Sequence, residues 1–323
     1  MKKIFENWRR FTEEEEEVIE LPDMGTISAD DPPEKVKVDS AERSGEKTGI
    51  KSGNLGYVMG TIDGQVLTMH NEDKLFYGAS TPKPILALAN LIKCSIQPES
   101  GRCLTGDELR ALLNYTLPKG AKRRDYWHGG NSNTVNKALA SARRGQKGVG
   151  DKILSVSQEL ANFASNEEVD KFLTDIGLPD LKVRYGSSNN QQTPMGYYNF
   201  MRLLLDSDLQ NTALDKASAV ASASHEILNY MQRKHGVLKS DREHSGRFLA
   251  HMKYLNDKGI NVKSIYGKGG YYSQANNSAM VLDDEYILVV YTGSWAAKKR
   301  AKKKRVTDLS EIIYQIVKGS GAY

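Results

Sequence analysis

Ser80 and Lys83 stand three residues apart in the phrase FYGASTPK, just ahead of the apolar run PILALANLI. On a helix that spacing puts both side chains on one face, one turn apart. A serine hydroxyl is inert at neutral pH unless a base takes its proton, and a lysine held in a dry site has a lowered pKa and can act as that base. The start of a helix also offers backbone N–H groups without intrahelical partners, which can form part of an oxyanion hole. Ser80 as nucleophile with Lys83 as base is one reading of the pair. Ser80 as an ordinary helix cap with Lys83 in solvent is the other.

Two further phrases carry polar groups of the right kind. Near the C-terminus, SIYGKGGYY supplies Lys268, Gly269, Gly270 and Tyr271 ahead of NNSAMVLDDEYILVVYTG, which reads as two strands about a short acidic turn. In the middle of the chain, HGGNSNTVNKALA places Asn131, Ser132 and Asn133 at the start of a helical stretch. Asn131 can hydrogen-bond but cannot shuttle a proton as a hydroxyl does, and a shift of one residue would make Ser132 the functional hydroxyl. A glycine-rich turn and an Asn/Ser cap are the plain structural readings of these phrases. His225, His235, His244 and His251 offer no tight ligand pair in their polar helical region, so they are expected to be solvated or capping, with no metal site and no cofactor.

The elements that must position these residues follow from periodicity. Residues 56–71 alternate apolar and polar about Asp63 and Gly64, a signal for a two-residue hairpin turn. Residues 82–92 predict a helix buried on most sides, starting near Ser80 or Thr81 because Pro84 is tolerated only in a first turn. Helices are expected over 107–113, 132–142, 152–164, 167–176, 194–205 and 214–234, then strands over 263–266, 278–282 and 286–291, and a last helix over 306–317. Strands at both ends with helices between predict a mixed α/β (α+β) fold. An antiparallel sheet drawn from both chain ends packs on helices, and a helical subdomain, about 107–260, is inserted. Residues 50–323 form this domain, and residues 1–49, rich in Glu, Lys, Asp, Ser and Pro, read as a flexible charged leader.

At 323 residues and 39% apolar the chain can bury a large core. Its net charge of +5, from 45 basic and 40 acidic residues, is too small to imply nucleic-acid binding. No run approaches a membrane span, and MKKIFENWRRFTEEEEE lacks the apolar core of a secretory signal, which predicts a cytoplasmic or virion-associated protein rather than a Sec-exported one. Ile4, Trp8 and Phe11 share one face of a short helix in this leader, and the run KKRAKKKR over 298–305 can attract an acidic surface, so either is a place for a protein partner. Cys94 and Cys103 read either as reduced thiols or as one disulfide across KCSIQPESGRC.

In this order and context, the phrases resemble class A β-lactamases and D-alanyl-D-alanine carboxypeptidases, whose three motifs are Ser-x-x-Lys, Ser-Asp-Asn and Lys-Thr-Gly. LFYGASTPKPILALANLI is similar to the region of their active-site serine. The resemblance implies a serine acyl-enzyme reaction on a β-lactam or a peptidoglycan-like D-Ala-D-Ala peptide. Ser80 would be the nucleophile, Lys83 the base, Asn133 the motif asparagine, and Lys268 and Gly270 the lysine and glycine of the last motif. Tyr271 would add its N–H to that of Ser80 in the oxyanion hole. Two positions depart from the pattern: Asn131 stands for the serine, and Gly269 for the hydroxyl residue that helps hold a substrate carboxylate. EEVDKFLTDIGLPDLKVRYGSSNNQQTPMGYYNFMRLLL resembles the family's helix, Ω-loop and Thr-Pro helix start. Arg184 is followed by Tyr185, Gly186, Ser187 and Ser188, and no carboxylate appears through Gln192. The resemblance thus implies impaired deacylation. The alternative is a noncatalytic binding or structural protein on the same fold, for which the leader's likeness to short leaders on tailed-phage proteins suggests a place in a particle.

Overall fold

The structure, a computed structural model, describes residues 52–98, 109, 113, 166–181, 191–213, 216–232, 242–272, 275–293 and 302–323. The leader, Asn131, Ser132, Asn133, the loop after Arg184 and residues 298–301 of the basic run lie outside the described residues.

One five-stranded antiparallel sheet organises the chain. β1 (Leu55–Thr61) and β2 (Val66–His70) come from the front of the domain, and β5 (Ile265–Tyr272), β6 (Ala275–Leu282) and β7 (Tyr286–Thr292) from its end. Their spatial order is β2-β1-β7-β6-β5. This is the expected α+β arrangement with a sheet drawn from both chain ends. Every residue of β6 is buried, because helices cover both faces of the sheet. The two-residue period of a strand sorts its side chains accordingly. Val58, Ala279, Val281, Ile287 and Val289 join one core with helices α1 (Lys83–Ile96), α2 (Asn166–Asp175), α3 (Pro194–Leu205) and α5 (Ala217–Gln232). Tyr57, Met59, Met280, Leu288 and Val290 join the other with α6 (Arg242–Asp257) and α7 (Lys302–Ser320). A second, two-stranded sheet pairs β3 (Phe76–Tyr77) with β4 (Gln191–Gln192) and joins the approach to Ser80 to the approach to α3.

Several helices form as their residues predict. α3 starts where Thr193 Oγ1 accepts the N–H of Gly196 at 3.0 Å and Pro194 fills the first turn. α1 is buried from Pro84 to Asn90 and again at Ile92, and its C-terminal end is exposed. Its start differs from expectation: Pro82 is the cap and Lys83 the first helical residue. Ser80 and Thr81 stay in the preceding turn because Thr81 N and Oγ1 both bond to Gly78 O, at 3.0 and 2.7 Å. The β1–β2 connection is also longer than a two-residue turn. Thr61 N bonds to Gln65 O at 2.9 Å, with a register shift at Met59 and Gly60. Arg202 clamps this loop from α3 through Ile62 O and Asp63 O, at 3.1 and 3.0 Å. A short helix, α4 (Ser207–Asn211), was not expected; Asp206 caps it by accepting from Asp208 N and Leu209 N.

One side chain decides between open readings and another corrects the sequence reading. Cys94, in the last turns of α1, is disulfide-bonded rather than a reduced thiol; Cys103 lies outside the described residues. His251 is neither solvated nor capping: it is fully buried between α6 and α7, with Nδ1 2.7 Å from Ser310 Oγ and Nε2 without a hydrogen-bond partner. One turn on, Tyr254 donates to Glu311. Burial, with a smaller contribution from the Arg247 charge, holds His251 well below the usual 6.5. A histidine depressed in the folded state binds its proton first in the unfolded chain, so its contribution to stability is present above about pH 6.5 and is lost as pH falls. Between about pH 6.5 and 5 the wild-type unfolding free energy should therefore fall by up to about 1.4 kcal/mol per pH unit more than that of His251→Gln. Urea denaturation at several pH values measures this, and parallel curves for the two proteins would contradict it.

Candidate functional site

Ser80 sits in the turn of residues 78–81, between β3 and α1. Ala79, the second residue of that turn, has φ 52°, a left-handed conformation that costs a residue with a Cβ roughly 1–2 kcal/mol. Neighbours hold it there. From β6, Asn277 Nδ2 donates to Tyr77 O at 2.7 Å, while Asn277 Oδ1 accepts from Thr292 N at 2.9 Å. Beneath the turn, Thr81 Oγ1 lies 2.8 Å from Gln192 Oε1 and 3.0 Å from the Tyr291 hydroxyl, and Tyr291 donates to Gln192 Oε1 at 2.5 Å. Tyr197 donates to Thr81 O at 2.9 Å. Thr81, Gln192, Tyr197 and Tyr291 are all fully buried. Burial pushes the Tyr291 hydroxyl far above the ordinary tyrosine range, so it keeps its proton.

β5 closes the other side. A Cβ on Gly270 would fall 2.6 Å from Gly78 O and 3.1 Å from Ser80 N, so only a glycine lets this strand approach the serine turn so closely. The structure therefore brings Ser80 together with the strand that holds Lys268, Gly269, Gly270 and Tyr271. Lys268, two residues before Gly270, lies on the same face of β5 and is buried, with Nζ donating to Gly269 O at 2.7 Å. Lys83 is half-buried at the first position of α1. The third group of the sequence reading, Asn131 to Asn133, lies outside the described residues.

Arg247 was missed by sequence reasoning. It reaches from α6 to within 3.1 Å of the place a Gly269 side chain would start, and it donates through Nη2 to Asn276 Oδ1. Its Nε is out of solvent contact and has no hydrogen-bond partner. Burial brings the guanidinium down to about 10, still charged at neutral pH. No local motif flags this residue; only the absence of a side chain at Gly269 hints that another group fills the space.

The fold is that of class A β-lactamases. The class A β-lactamase of the last common ancestor of Gram-negative bacteria is similar with a TM-score of 0.55 at 15% identity, over 88% of this chain and 98% of that one. A β-lactamase of Xanthomonas campestris pv. campestris gives 0.54 at 14%, over 90% and 99%, and one of Sphaerobacter thermophilus gives 0.51 at 14%, over 89% and 98%. No protein-family model and no curated protein matches the sequence. Among the described residues no helix is long and apolar enough to cross a membrane.

Gly269 and Gly270 of β5 are predicted to respond differently to one added methyl. Gly270→Ala meets backbone atoms that cannot yield and should cost about 1–3 kcal/mol. Gly269→Ala meets the end of the flexible Arg247 side chain and should cost less. Equal losses in urea denaturation would contradict this packing.

Proposed function

We propose that the chain forms an acyl-enzyme at Ser80 with a β-lactam or a D-Ala-D-Ala-like peptide and releases it slowly. The observation that supports this reading most directly is the contact of Gly270 with the 78–81 turn, which sets the Lys268 strand beside the serine. In the proposed reaction Lys83 takes the Ser80 proton and Oγ attacks the carbonyl carbon. The N–H groups of Ser80 and Tyr271 meet the charge on the carbonyl oxygen, and the amide nitrogen leaves with a proton. Lys268 faces the anionic end of the substrate or assists that proton transfer. Arg247 adds a fixed positive charge where Gly269 offers no hydroxyl. The motif resemblance assigns Asn133, with Asn131 or Ser132, to the same reaction.

Release is the weak step. Between Leu181 and Gln192 the sequence has no Asp or Glu to activate a water, and general-base help is worth about 10²–10⁴-fold. Intact-protein mass spectrometry after incubation with benzylpenicillin should find a persistent adduct of one penicillin, absent from Ser80→Ala. Fast multiple turnover would overturn slow release. No adduct under forcing conditions would favour the second reading, a noncatalytic binding or particle protein, which the departures at Asn131 and Gly269 motivate.

A further inference from the structure

We propose that Tyr291 is a positioning residue for Ser80: its hydroxyl donates to Gln192 Oε1 and so leaves the one hydroxyl hydrogen of Thr81 to close the 78–81 turn. The inference rests on the acylation reading and adds to it a hydrogen-bond arrangement outside the three motifs.

Thr81 Oγ1 has two carbonyl acceptors at nearly equal range, Gly78 O at 2.7 Å and Gln192 Oε1 at 2.8 Å, and the Tyr291 hydroxyl oxygen further off at 3.0 Å, but one hydrogen to give. Tyr291 lies 2.5 Å from the same Gln192 oxygen. With both hydroxyls present the hydrogens divide, Tyr291 donating to Gln192 and Thr81 to Gly78. Without the phenol oxygen, Gln192 Oε1 becomes a fully buried acceptor whose remaining donor among the described hydrogen bonds is Thr81. A buried acceptor without a donor is unfavourable, so the Thr81 hydrogen turns to Gln192. Of the two bonds from Thr81 to Gly78 O, the turn then keeps the 3.0 Å one from Thr81 N, while Ala79 stays in its left-handed conformation. Tyr197 still holds Thr81 O, so α1 keeps its place and the loosening falls on the residues ahead of it. Gly270 packs on Gly78 O and Ser80 N, so a shift there moves the nucleophile and its N–H relative to β5.

The experiment uses the full chain and four variants, Tyr291→Phe, Thr81→Val, Thr81→Ser and the double variant Gln192→Leu with Tyr291→Phe. Thermal unfolding is recorded first. Stopped time courses of adduct formation with benzylpenicillin then separate the initial affinity from the acylation rate. Tyr291→Phe and Thr81→Val should lower the rate about tenfold with the affinity unchanged, the loss of roughly one hydrogen bond in positioning. Thr81→Ser should retain the rate. The double variant removes the competing acceptor with the donor, so it should recover most of the rate lost in Tyr291→Phe. Hydrogen exchange at the Thr81 N–H should rise in Tyr291→Phe and return in the double variant. A wild-type acylation rate in Tyr291→Phe, or a double variant as slow as the single one, would overturn the proposal and leave Tyr291 a packing residue. If the wild type forms no adduct, the acylation reading fails by itself, and unchanged exchange at Thr81 in Tyr291→Phe would overturn the turn-closing role as well.

Discussion

The antiparallel pairing of β1 with β7, seven residue pairs from Leu55 with Thr292 to Thr61 with Tyr286, is the contact on which the rest of the structure depends. It joins segments near opposite ends of the domain. The entropy of closing so long a loop grows only with the logarithm of its length, so one well-buried ladder offsets it. The ladder is well buried: Tyr57, Val58, Met59, Leu288, Val289 and Val290 have no exposed surface. Once it forms, β6 and β5 follow in register. Gly270 then stands opposite Asn277, and Asn277 reaches Tyr77 just ahead of Ser80. The serine turn and the Lys268 strand therefore meet because the two ends of the domain share one sheet.

The parts of this arrangement legible in the sequence were those written in local periodicity or in a short motif. The strands at both ends, the buried α1 and the limits of α3 follow from alternation, apolar density and the Thr193-Pro194 start. The pairing of Ser80 with the Lys-Gly-Gly strand was legible only through resemblance, since nothing local joins residues so far apart. The start of α1 was misplaced because a proline fixes where a helix is allowed, while the Thr81 bonds to Gly78 determine where it begins. His251 and Arg247 were misread or missed for a related reason. α6 is polar in composition, and its buried stripe is recognisable only when Ser310, Glu311 and Asn276 are seen to receive it.

That stripe and the cluster under Thr81 have a common physical form. Each is a set of buried polar side chains from elements distant in sequence, placed beside a backbone that must take one shape. A mainly apolar core tolerates exchanges of similar volume, whereas a buried hydroxyl or amide favours the one arrangement that supplies its partners. Such clusters specify geometry in a way that apolar packing does not. At the 78–81 turn the geometry needs specifying, because Ala79 departs from the conformation it would otherwise prefer.

The departures from the motif pattern fall on side chains, while the groups nearest the proposed chemistry are largely backbone. Gly269 lacks a hydroxyl, and the resemblance sets Asn131 against a serine, but the N–H of Ser80 and the glycine that lets β5 reach it are present. Backbone donors depend on turn conformation and strand approach rather than on side-chain identity at one position. This chain has the fold at 14–15% identity, and in it the approach of β5 to the serine turn depends on a bare Gly270 and on the Thr81 bonds to Gly78. Beside Gly269 the nearest side chain is that of Arg247, which brings a positive charge to β5 from α6. The part of the site that the structure fixes is the shape of a turn and the closeness of one strand, and neither depends on a hydroxyl at position 269.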